Sequence, residues 1–392
     1  MPLLSQALDH LLRATGDPLV DLKGIGADHP SHTRVEVLRA AVGVLAKVPA
    51  TLPAVARAIS AADAPGLSPR LRSHLDAAES WVRGAAEQAA QRYADILVRW
   101  PRDLLALRLA QSCYFFLGQP QQMCATVDAV MPAWNRDSWG FDFVQAMSAF
   151  AHAESGHADR AEQLGRAALA RDPACPLGVH AVAHGLAEAG RPGAGARWMR
   201  QQTAQWAVPS RMLTHNAWHL AMFDLDDGRI ASALRILDHC LLPAAAQSPV
   251  DACDAVSLLW RVAAKDLNVS ARWQQLSAAF ELRWEPGFWP YIDLHAALAH
   301  LRAGRRERFE RLAHEIEQRA TDTHTVAARA RDVTLPLLRA LATHNHEVRT
   351  RAAATIATLG PLLGAAGGSR LQLAFLGPPS APSSRPARAA AA

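Results

Sequence analysis

Cysteines are few in this chain, and their spacing excludes two kinds of stapled fold. The 392 residues contain five cysteines, which is an odd number, and no two of them form a CxxC pair. A disulfide framework uses paired cysteines and a zinc ribbon uses CxxC pairs, so we expect neither. Unpaired cysteines are typical of a reducing compartment, which predicts a cytoplasmic protein.

Long apolar runs are missing as well. No stretch of sequence reaches the ~18 uninterrupted apolar residues that a membrane-spanning helix needs. Near the N-terminus, Asp9 and His10 stand where a signal peptide has its apolar core. The sequence therefore predicts neither a membrane span nor a secretion signal, and we expect no membrane partner.

Charge of one sign is in only slight excess. The formal net charge is +5, and part of it comes from the C-terminal region, where no acid follows Glu347. There is no dense Lys/Arg stripe interleaved with aromatics, which nucleic-acid binding would favour. The glycine-rich dinucleotide loop and the GxSxG nucleophile motif are missing too. We therefore expect no nucleic-acid partner and neither of those two kinds of site.

What the sequence does contain is helix formers and a repeat. Ala, Leu and Arg dominate, and runs with period-two alternation are hard to find, which favours an all-α chain. In one unit, Ala161, Ala168 and Pro173 lie five, twelve and seventeen residues after Gly156. The glycine permits a tight turn between two helices, the alanines let the helices pack closely, and the proline ends the second helix. This spacing resembles the tetratricopeptide repeat, whose period is about 34 residues.

The same spacing extends along the chain and predicts its organisation. Gly190 follows Gly156 by 34 residues, and further turn glycines are Gly118, Gly228 and Gly304. We predict an all-α, tetratricopeptide-like helical repeat array, that is, a right-handed α-solenoid. Its expected parts are an N-terminal helical cap at residues 1–100, the repeats at 101–345, a terminal helix at 346–363 and a disordered Gly/Pro/Ala/Ser-rich tail at 364–392. Within the cap, the sequence predicts helices at residues 3–14, 33–48 and 70–99.

Two pairs of histidines stand out in successive units. His180 and His184 lie in GVHAVAHGLAEAG, and His215 and His219 lie in THNAWHLAMF. A spacing of four residues places both imidazoles of a pair on one helix face. The first helices of neighbouring units line the concave side of a repeat array, so the two pairs are predicted to converge. Four imidazoles with nearby carboxylates suit a divalent transition metal.

Other side chains could complete such a metal pocket or could simply pack. The candidate carboxylates are Glu188, Asp251, Asp254 and Asp293, and His295 is a fifth candidate metal ligand. The alternative is packing, because imidazoles on helix faces also satisfy backbone groups, and tryptophan at helical spacing is more often core. Neither histidine pair contains the HExxH motif of metalloproteases. The sequence leaves both interpretations open.

Six strings taken together resemble the tetratricopeptide repeat protein 38 family. They are LALRLAQSCYFFLG (105–118), AVMPAW (129–134), HAVAHGLAEAGR (180–191), HNAWHLAMFDLDDGR (215–229), DAVSLLWR (254–261) and DLHAALA (293–299). The resemblance implies a helical-repeat fold and no established reaction. It also implies recurrent polar positions, which are His180, His184, His215, Asn216, Trp218, His219, Asp254, Trp260, Arg261, Asp293 and His295.

Two functions of different classes follow from these patterns. In the first, the chain is a metal-dependent enzyme or a small-ligand-binding protein with a concave pocket. Its metal ligands are then His180, His184, His215, His219 and His295; its catalytic residues are His215, His219, Asp254 and Arg261; and Asn216, Trp218, Trp260 and Asp293 line the pocket. In the second, the chain is a protein–protein interaction scaffold that binds a partner peptide in its concave groove. Because no reaction class follows, the sequence leaves open whether the chain is an enzyme.

Overall fold

The computed structural model describes residues 2–23, 25–26, 28–63, 66–265, 267–344 and 360–373, and these are helical almost throughout. Within these ranges, the β-structure consists of one isolated bridge between Thr15 and Ser210. The predicted all-α class is therefore confirmed. The helices are α1 (Pro2–Arg13), α2 (Pro18–Asp21), α3 (His32–Ala46), α4 (Leu52–Ala62), α5 (Pro69–Val82), α6 (Ala86–Arg99), α7 (Leu104–Leu117), α8 (Pro120–Val130), α9 (Phe141–Glu154), α10 (Ala158–Arg171), α11 (Pro176–Glu188), α12 (Pro192–Gln201), α13 (Thr203–Trp206), α14 (Leu213–Asp226), α15 (Ile230–Ile236), α16 (Leu242–Ala245), α17 (Pro249–Ala263), α18 (Ser270–Arg283), α19 (Pro290–Arg302), α20 (Arg306–Arg319), α21 (Thr325–Arg329) and α22 (Leu335–His344).

Most of these helices form pairs that are joined by a tight glycine turn. The five predicted turn glycines all have positive φ, between 64° and 83°, and each directly follows the first helix of its pair or lies within two residues of its end. Glycine has no Cβ to oppose this left-handed conformation, so the chain reverses direction there and the second helix packs back on the first. Ala161 and Ala168 are fully buried at such a crossing, as their small size predicts. The chain is a tetratricopeptide-like helical repeat protein.

One repeat unit lies further toward the N-terminus than the sequence predicts. Gly84 has a φ of 73° and joins α5 to α6, and it stands 34 residues before Gly118. Ala89 and Pro101 lie five and seventeen residues after Gly84, as in the best-matched unit. The predicted single helix at 70–99 is therefore two helices, and the repeats begin before residue 101.

The array curls until its early units contact its late ones. The backbone N–H of Val326 donates to the carbonyl oxygen of Gly84 at 3.2 Å. The Phe116 ring lies 5.0 Å from Trp81 and 5.5 Å from Phe288, between centroids, which joins the first units to the loop before α19. Arg329 donates to the carbonyl oxygens of Phe116 and Leu117, both at 3.2 Å. The concave side of the array is therefore enclosed by the chain itself.

A segment near the C-terminus, residues 360–373, fills part of this concave side. It contains two short helices, Gly360–Ala365 and Arg370–Leu373. The Gly368 N–H donates to the carbonyl oxygen of Phe115 at 3.0 Å, and the Tyr291 N–H donates to that of Ala366 at 3.1 Å. We call residues 360–373 the C-terminal segment.

The C-terminal segment corrects part of the expected tail. Residues 364–373, which the sequence assigns to the tail, are packed, and Leu373 is only 6% exposed. The remaining tail, 374–392, and most of the predicted terminal helix, 346–359, lie outside the described residues. Every helix in the described part of the chain is too short or too polar to cross a membrane.

Candidate functional site

The two histidine pairs converge as their spacing predicts. His180 and His184 project from α11, and His215 and His219 project from α14, the first helix of the next unit. One ring nitrogen from each of these four side chains lies within 4.8 Å of the others. His180, His184 and His219 are 6% exposed or less, whereas the side chain of His215 is 19% exposed. We call these four residues the histidine cluster.

Local sequence fixes the position of α11. Pro176 begins the helix, and its restricted φ suits the first helical turn. Gly178 and Gly185 face α10, where a Cβ would come within 3.0 Å of Leu169 and 2.9 Å of the Glu162 backbone nitrogen. Because these two glycines allow close packing, α11 is held firmly against α10 on one side and presents its histidines on another.

Two buried carboxylates flank the histidine cluster. Both oxygens of Asp254, on α17, lie 3.0 Å from Nδ1 of His215. The other nitrogen of that ring, Nε2, faces the cluster and lies 3.0 Å from Nε2 of His180. Glu154, the last residue of α9, places Oε1 3.2 Å from Nδ1 of His184, at ion-pair distance. Carboxylates in these positions orient imidazoles and make them better metal ligands.

Several polar atoms in the centre of the site have no hydrogen-bond partner. They are Nε2 of His184, Nε2 of His219 and both amide atoms of Asn216, which is fully buried. A buried polar atom without a partner costs about 1–3 kcal/mol. Such atoms are concentrated here on neighbouring side chains, which is what a binding site for an ion or a small polar ligand requires.

The electrostatics favour neutral imidazoles at the centre of the site. Burial, followed by the neighbouring imidazoles, holds the pKa values of His180 and His219 well below their usual range. Burial also opposes the charged form of His215, but the adjacent carboxylate of Asp254 outweighs it and raises the pKa of His215. Neutral imidazoles keep a lone pair free, so His180 and His219 are prepared to bind a metal without first losing a proton.

Two further predicted residues, Trp218 and Asn216, lie beside the cluster, whereas Trp260 packs against Arg302 at the end of α19. Trp218 is fully buried; its ring stacks on His215 with centroids 5.2 Å apart, and its Nε1 donates to Ser257 Oγ at 2.9 Å. Asn216 lies on the same helix, α14, between His215 and Trp218. Trp260 is half-buried, with the Arg302 guanidinium 5.6 Å above its ring.

Other predicted residues have different partners. Asp293 accepts from Trp284 Nε1 at 2.8 Å and from the Gly287 N–H at 3.2 Å, so it fixes the turn before α19. His295 places Nδ1 2.7 Å from the carbonyl oxygen of Tyr291 on its own helix and is not one of the four clustered histidines. Arg261 donates to the carbonyl oxygen of Leu371 at 2.9 Å, so the guanidinium holds the C-terminal segment.

The C-terminal segment covers the acids that flank the cluster. Ser369 Oγ donates to Glu154 at 2.9 Å, and the Arg370 N–H lies 3.4 Å from the same carboxylate. The side-chain amide of Gln372 donates to Asp254. The chain therefore closes over its own histidine cluster and orders both carboxylates.

Sequence reasoning missed Glu154. It stands two residues before its turn glycine, a position that Glu188 and Asp226 share in the next two units. Because three units carry an acid there, the spacing alone does not single out Glu154. Only the packing of α9 beside α11 shows that the Glu154 carboxylate lies 3.2 Å from His184 Nδ1.

Comparisons with known proteins give two distant structural similarities and no family. No family model matches the chain. It is similar to a chain of the APC/C hetero-tetramer Cut9-Hcn1, with 13% identity, a TM-score of 0.44, and coverage of 95% of this chain and 68% of that chain. It is also similar to a monomeric mutant of IFIT1 with Gppp-AAAA, with 12% identity, a TM-score of 0.47, and coverage of 95% and 84%. The resemblance to the tetratricopeptide repeat protein 38 family stays a prediction.

Proposed function

We propose that the helical array is the scaffold of a metal site, in which the histidine cluster binds one divalent transition-metal ion. The observation that supports this most directly is the convergence of four ring nitrogens within 4.8 Å of one another. Ring nitrogens that were satisfied by core packing would each point at a backbone or side-chain partner. Nε2 of His184 and Nε2 of His219 instead lie in the cluster without a hydrogen-bond partner.

The dimensions and the donor types fit such an ion. Tetrahedral zinc with Zn–N bonds of about 2.0–2.1 Å separates its nitrogen ligands by roughly 3.4 Å. The Nε2 atoms of His180 and His215 are 3.0 Å apart, and all four ring nitrogens lie within 4.8 Å of one another. Shifts of about 1 Å therefore bring all four nitrogens to bonding distance. Four imidazoles suit zinc, copper, nickel or iron, and zinc is the first candidate.

The surroundings decide what a bound ion can do. The Asp254 carboxylate accepts a hydrogen bond from Nδ1–H of His215, which fixes the tautomer with Nε2 free for the metal. His215 alone keeps some exposure, so a small molecule reaches the cluster from its side. Arg108 has a buried Nε without a hydrogen-bond partner, and its charge helps to lower the pKa of His180. The Arg108 guanidinium therefore favours a small anionic ligand.

A second function, a scaffold that binds a partner peptide, is favoured by a different observation. Concave surfaces of helical repeats commonly bind other proteins. Here the C-terminal segment already lies on that surface, held partly through main-chain hydrogen bonds at Gly368 and Ala366. Main-chain bonds do not depend on the side chains that are bound, so a partner peptide can replace the segment on the same surface.

Elemental analysis of protein purified without a metal-affinity tag tests the metal proposal. We expect His219→Ala to lose one equivalent of transition metal relative to the parent protein, with unchanged helical content by circular dichroism. The His300→Ala variant is the control, because His300 is buried outside the cluster and bonds Ser277 Oγ at 2.8 Å. An equal metal content in the parent and in both variants contradicts the metal site and leaves the peptide scaffold, to be tested by pull-down.

A further inference from the structure

A second group of metal-ligand side chains lies where α8, α9 and α10 meet. Cys124 Sγ is 3.7 Å from Nδ1 of His152, and Nδ1 of His152 is 3.4 Å from Nδ1 of His157. The three residues come from α8, the last turn of α9 and the residue before α10. All three ligand atoms lie within 4.8 Å of one another.

This group is separate from the histidine cluster. His152 and Glu154 are two residues apart on α9, and successive residues of an α-helix point about 100° apart. Glu154 therefore faces the cluster on one side of α9, while His152 faces α8 on nearly the opposite side. The cluster also contains no sulfur ligand, whereas this group contains a thiol.

We propose that Cys124, His152 and His157 form a second metal site, with one thiolate and two imidazole ligands, for zinc or a similar thiophilic divalent ion. With Zn–N of about 2.05 Å and Zn–S of about 2.3 Å, a tetrahedral ion holds two nitrogens roughly 3.4 Å apart and a nitrogen and a sulfur roughly 3.6 Å apart. The distances between the ligand atoms, 3.4 Å and 3.7 Å, match both values closely.

The neighbouring groups support the same assignment. Asp128 places Oδ1 3.6 Å from Nε2 of His152, the position of a carboxylate that orients a ligating histidine. Ser155 Oγ lies 3.3 Å from Cys124 Sγ, within hydrogen-bond reach of the sulfur. His157 is exposed, so the fourth coordination position opens to water or to an added ligand.

The turn between α9 and α10 fixes the spacing of the two histidines. Gly156 has a φ of 83°, which lets the chain reverse within the turn. The His157 N–H then donates to the carbonyl oxygen of His152 at 2.8 Å and holds the two residues side by side. The turn at Gly156 thus places His152 and His157 next to each other without any change in the positions of the helices.

Protonation sets how a metal enters. Burial raises the pKa of the Cys124 thiol and lowers the pKa of His152. Both groups are therefore neutral near pH 7 in the metal-free protein. Binding replaces the thiol proton by the metal, and that proton leaves to solvent.

Cobalt(II) titration of the metal-free full-length chain tests the proposal. A thiolate bound to Co²⁺ gives a charge-transfer band in the near ultraviolet, which a site made only of imidazoles cannot give. We expect the band to reach its maximum when one Co²⁺ ion per chain is bound at the Cys124 site. The band should be abolished in Cys124→Ser and should remain in Cys240→Ser. Cys240 is the matched control because it is the other half-buried free cysteine.

Further variants separate this site from the histidine cluster. His157→Ala changes an exposed residue, so the fold should stay intact. The apparent Kd for Co²⁺, measured from the band, should rise at least tenfold. His219→Ala should leave the band unchanged, because it belongs to the other site. The proposal is overturned if the parent protein gives no charge-transfer band, or if the band survives Cys124→Ser. Neither outcome affects the proposal for the histidine cluster, because the metal content of that cluster is measured separately in Cys124→Ser.

Discussion

Replacing His219 with leucine should change thermal stability in opposite directions in the metal-free and metal-loaded protein. His219 is 1% exposed and its Nε2 has no hydrogen-bond partner. Removing an unpaired buried polar atom relieves about 1–3 kcal/mol, so the metal-free variant should be more stable than the parent. With metal at a thousand times its Kd, binding stabilises the parent by about 4.1 kcal/mol, which exceeds that gain. The variant loses most of that contribution and should then be the less stable protein.

The pH dependence of the same difference has a definite sign. Burial holds the pKa of His219 in the folded chain well below its usual value, which is about 6.5. Below about pH 6.5 the unfolded chain therefore binds a proton that the folded chain does not. The parent loses stability as the pH falls from 6.5 toward the folded pKa, by about 1.4 kcal/mol per pH unit from this histidine. Leucine binds no proton. The free energy of unfolding of the variant therefore rises relative to that of the parent by about 1.4 kcal/mol for each pH unit of acidification.

Thermal unfolding followed by far-ultraviolet circular dichroism measures both effects, in chelator and in saturating zinc, at pH 7.5 and 5.5. His300→Leu is the control: burial lowers the pKa of His300 to about 4, but its Nδ1 bonds Ser277 Oγ. It should therefore show the acid effect without any zinc effect, and it should destabilise the metal-free chain. A metal-free His219→Leu protein that is less stable than the parent, together with an equal zinc shift in both, would refute the reasoning.

Two other substitutions have expected outcomes that can be checked directly. Asp254→Asn should weaken metal binding about 10–100-fold in a chelator competition, because the charge that supports a ligating imidazole is lost. Asp293→Asn should leave metal binding unchanged. Equal losses of affinity in the two variants would contradict the assignment. Gly118→Ala should cost ~1–3 kcal/mol more than Gly190→Ala in thermal unfolding, since a Cβ at 118 overlaps the Gly364 carbonyl oxygen and one at 190 meets nothing within 4 Å. Both glycines have positive φ, so the backbone cost is common to the two variants, and equal destabilisation would mean that the C-terminal segment is not held there.

Local spacing predicted much of the fold because the turns are local. A positive φ at Gly118 or Gly156 depends on a few neighbouring residues, so the sequence identifies it. The unit around Gly84 was missed because it keeps the glycine, the first alanine and the proline but has Ile96 where the best unit has Ala168. Because this unit matches the repeat spacing only in part, the turn at Gly84 was not identified, and α5 and α6 were predicted as one helix.

The candidate site shows where local reasoning stops. The histidine pairs could be found because each pair lies on one helix and the two helices belong to neighbouring units. Glu154 reaches the site with Ser369, a residue 215 positions away, so no spacing rule connects them. Asp293 was predicted nearby from its unit, but it accepts from Trp284 and the Gly287 N–H instead. Contacts of this range depend on how far the array curls, which is a property of the whole chain.

The two candidate functions are thermodynamically linked, because they share the C-terminal segment. A partner peptide that displaced the segment would remove Ser369 from Glu154 and Gln372 from Asp254. Both carboxylates lie against imidazoles of the proposed metal site, so the partner would change metal affinity without touching a proposed metal ligand. Linkage is reciprocal: the factor by which the partner weakens metal binding equals the factor by which the metal weakens partner binding. Measuring the affinity of either one with and without the other therefore shows whether the segment couples the groove to the histidine cluster.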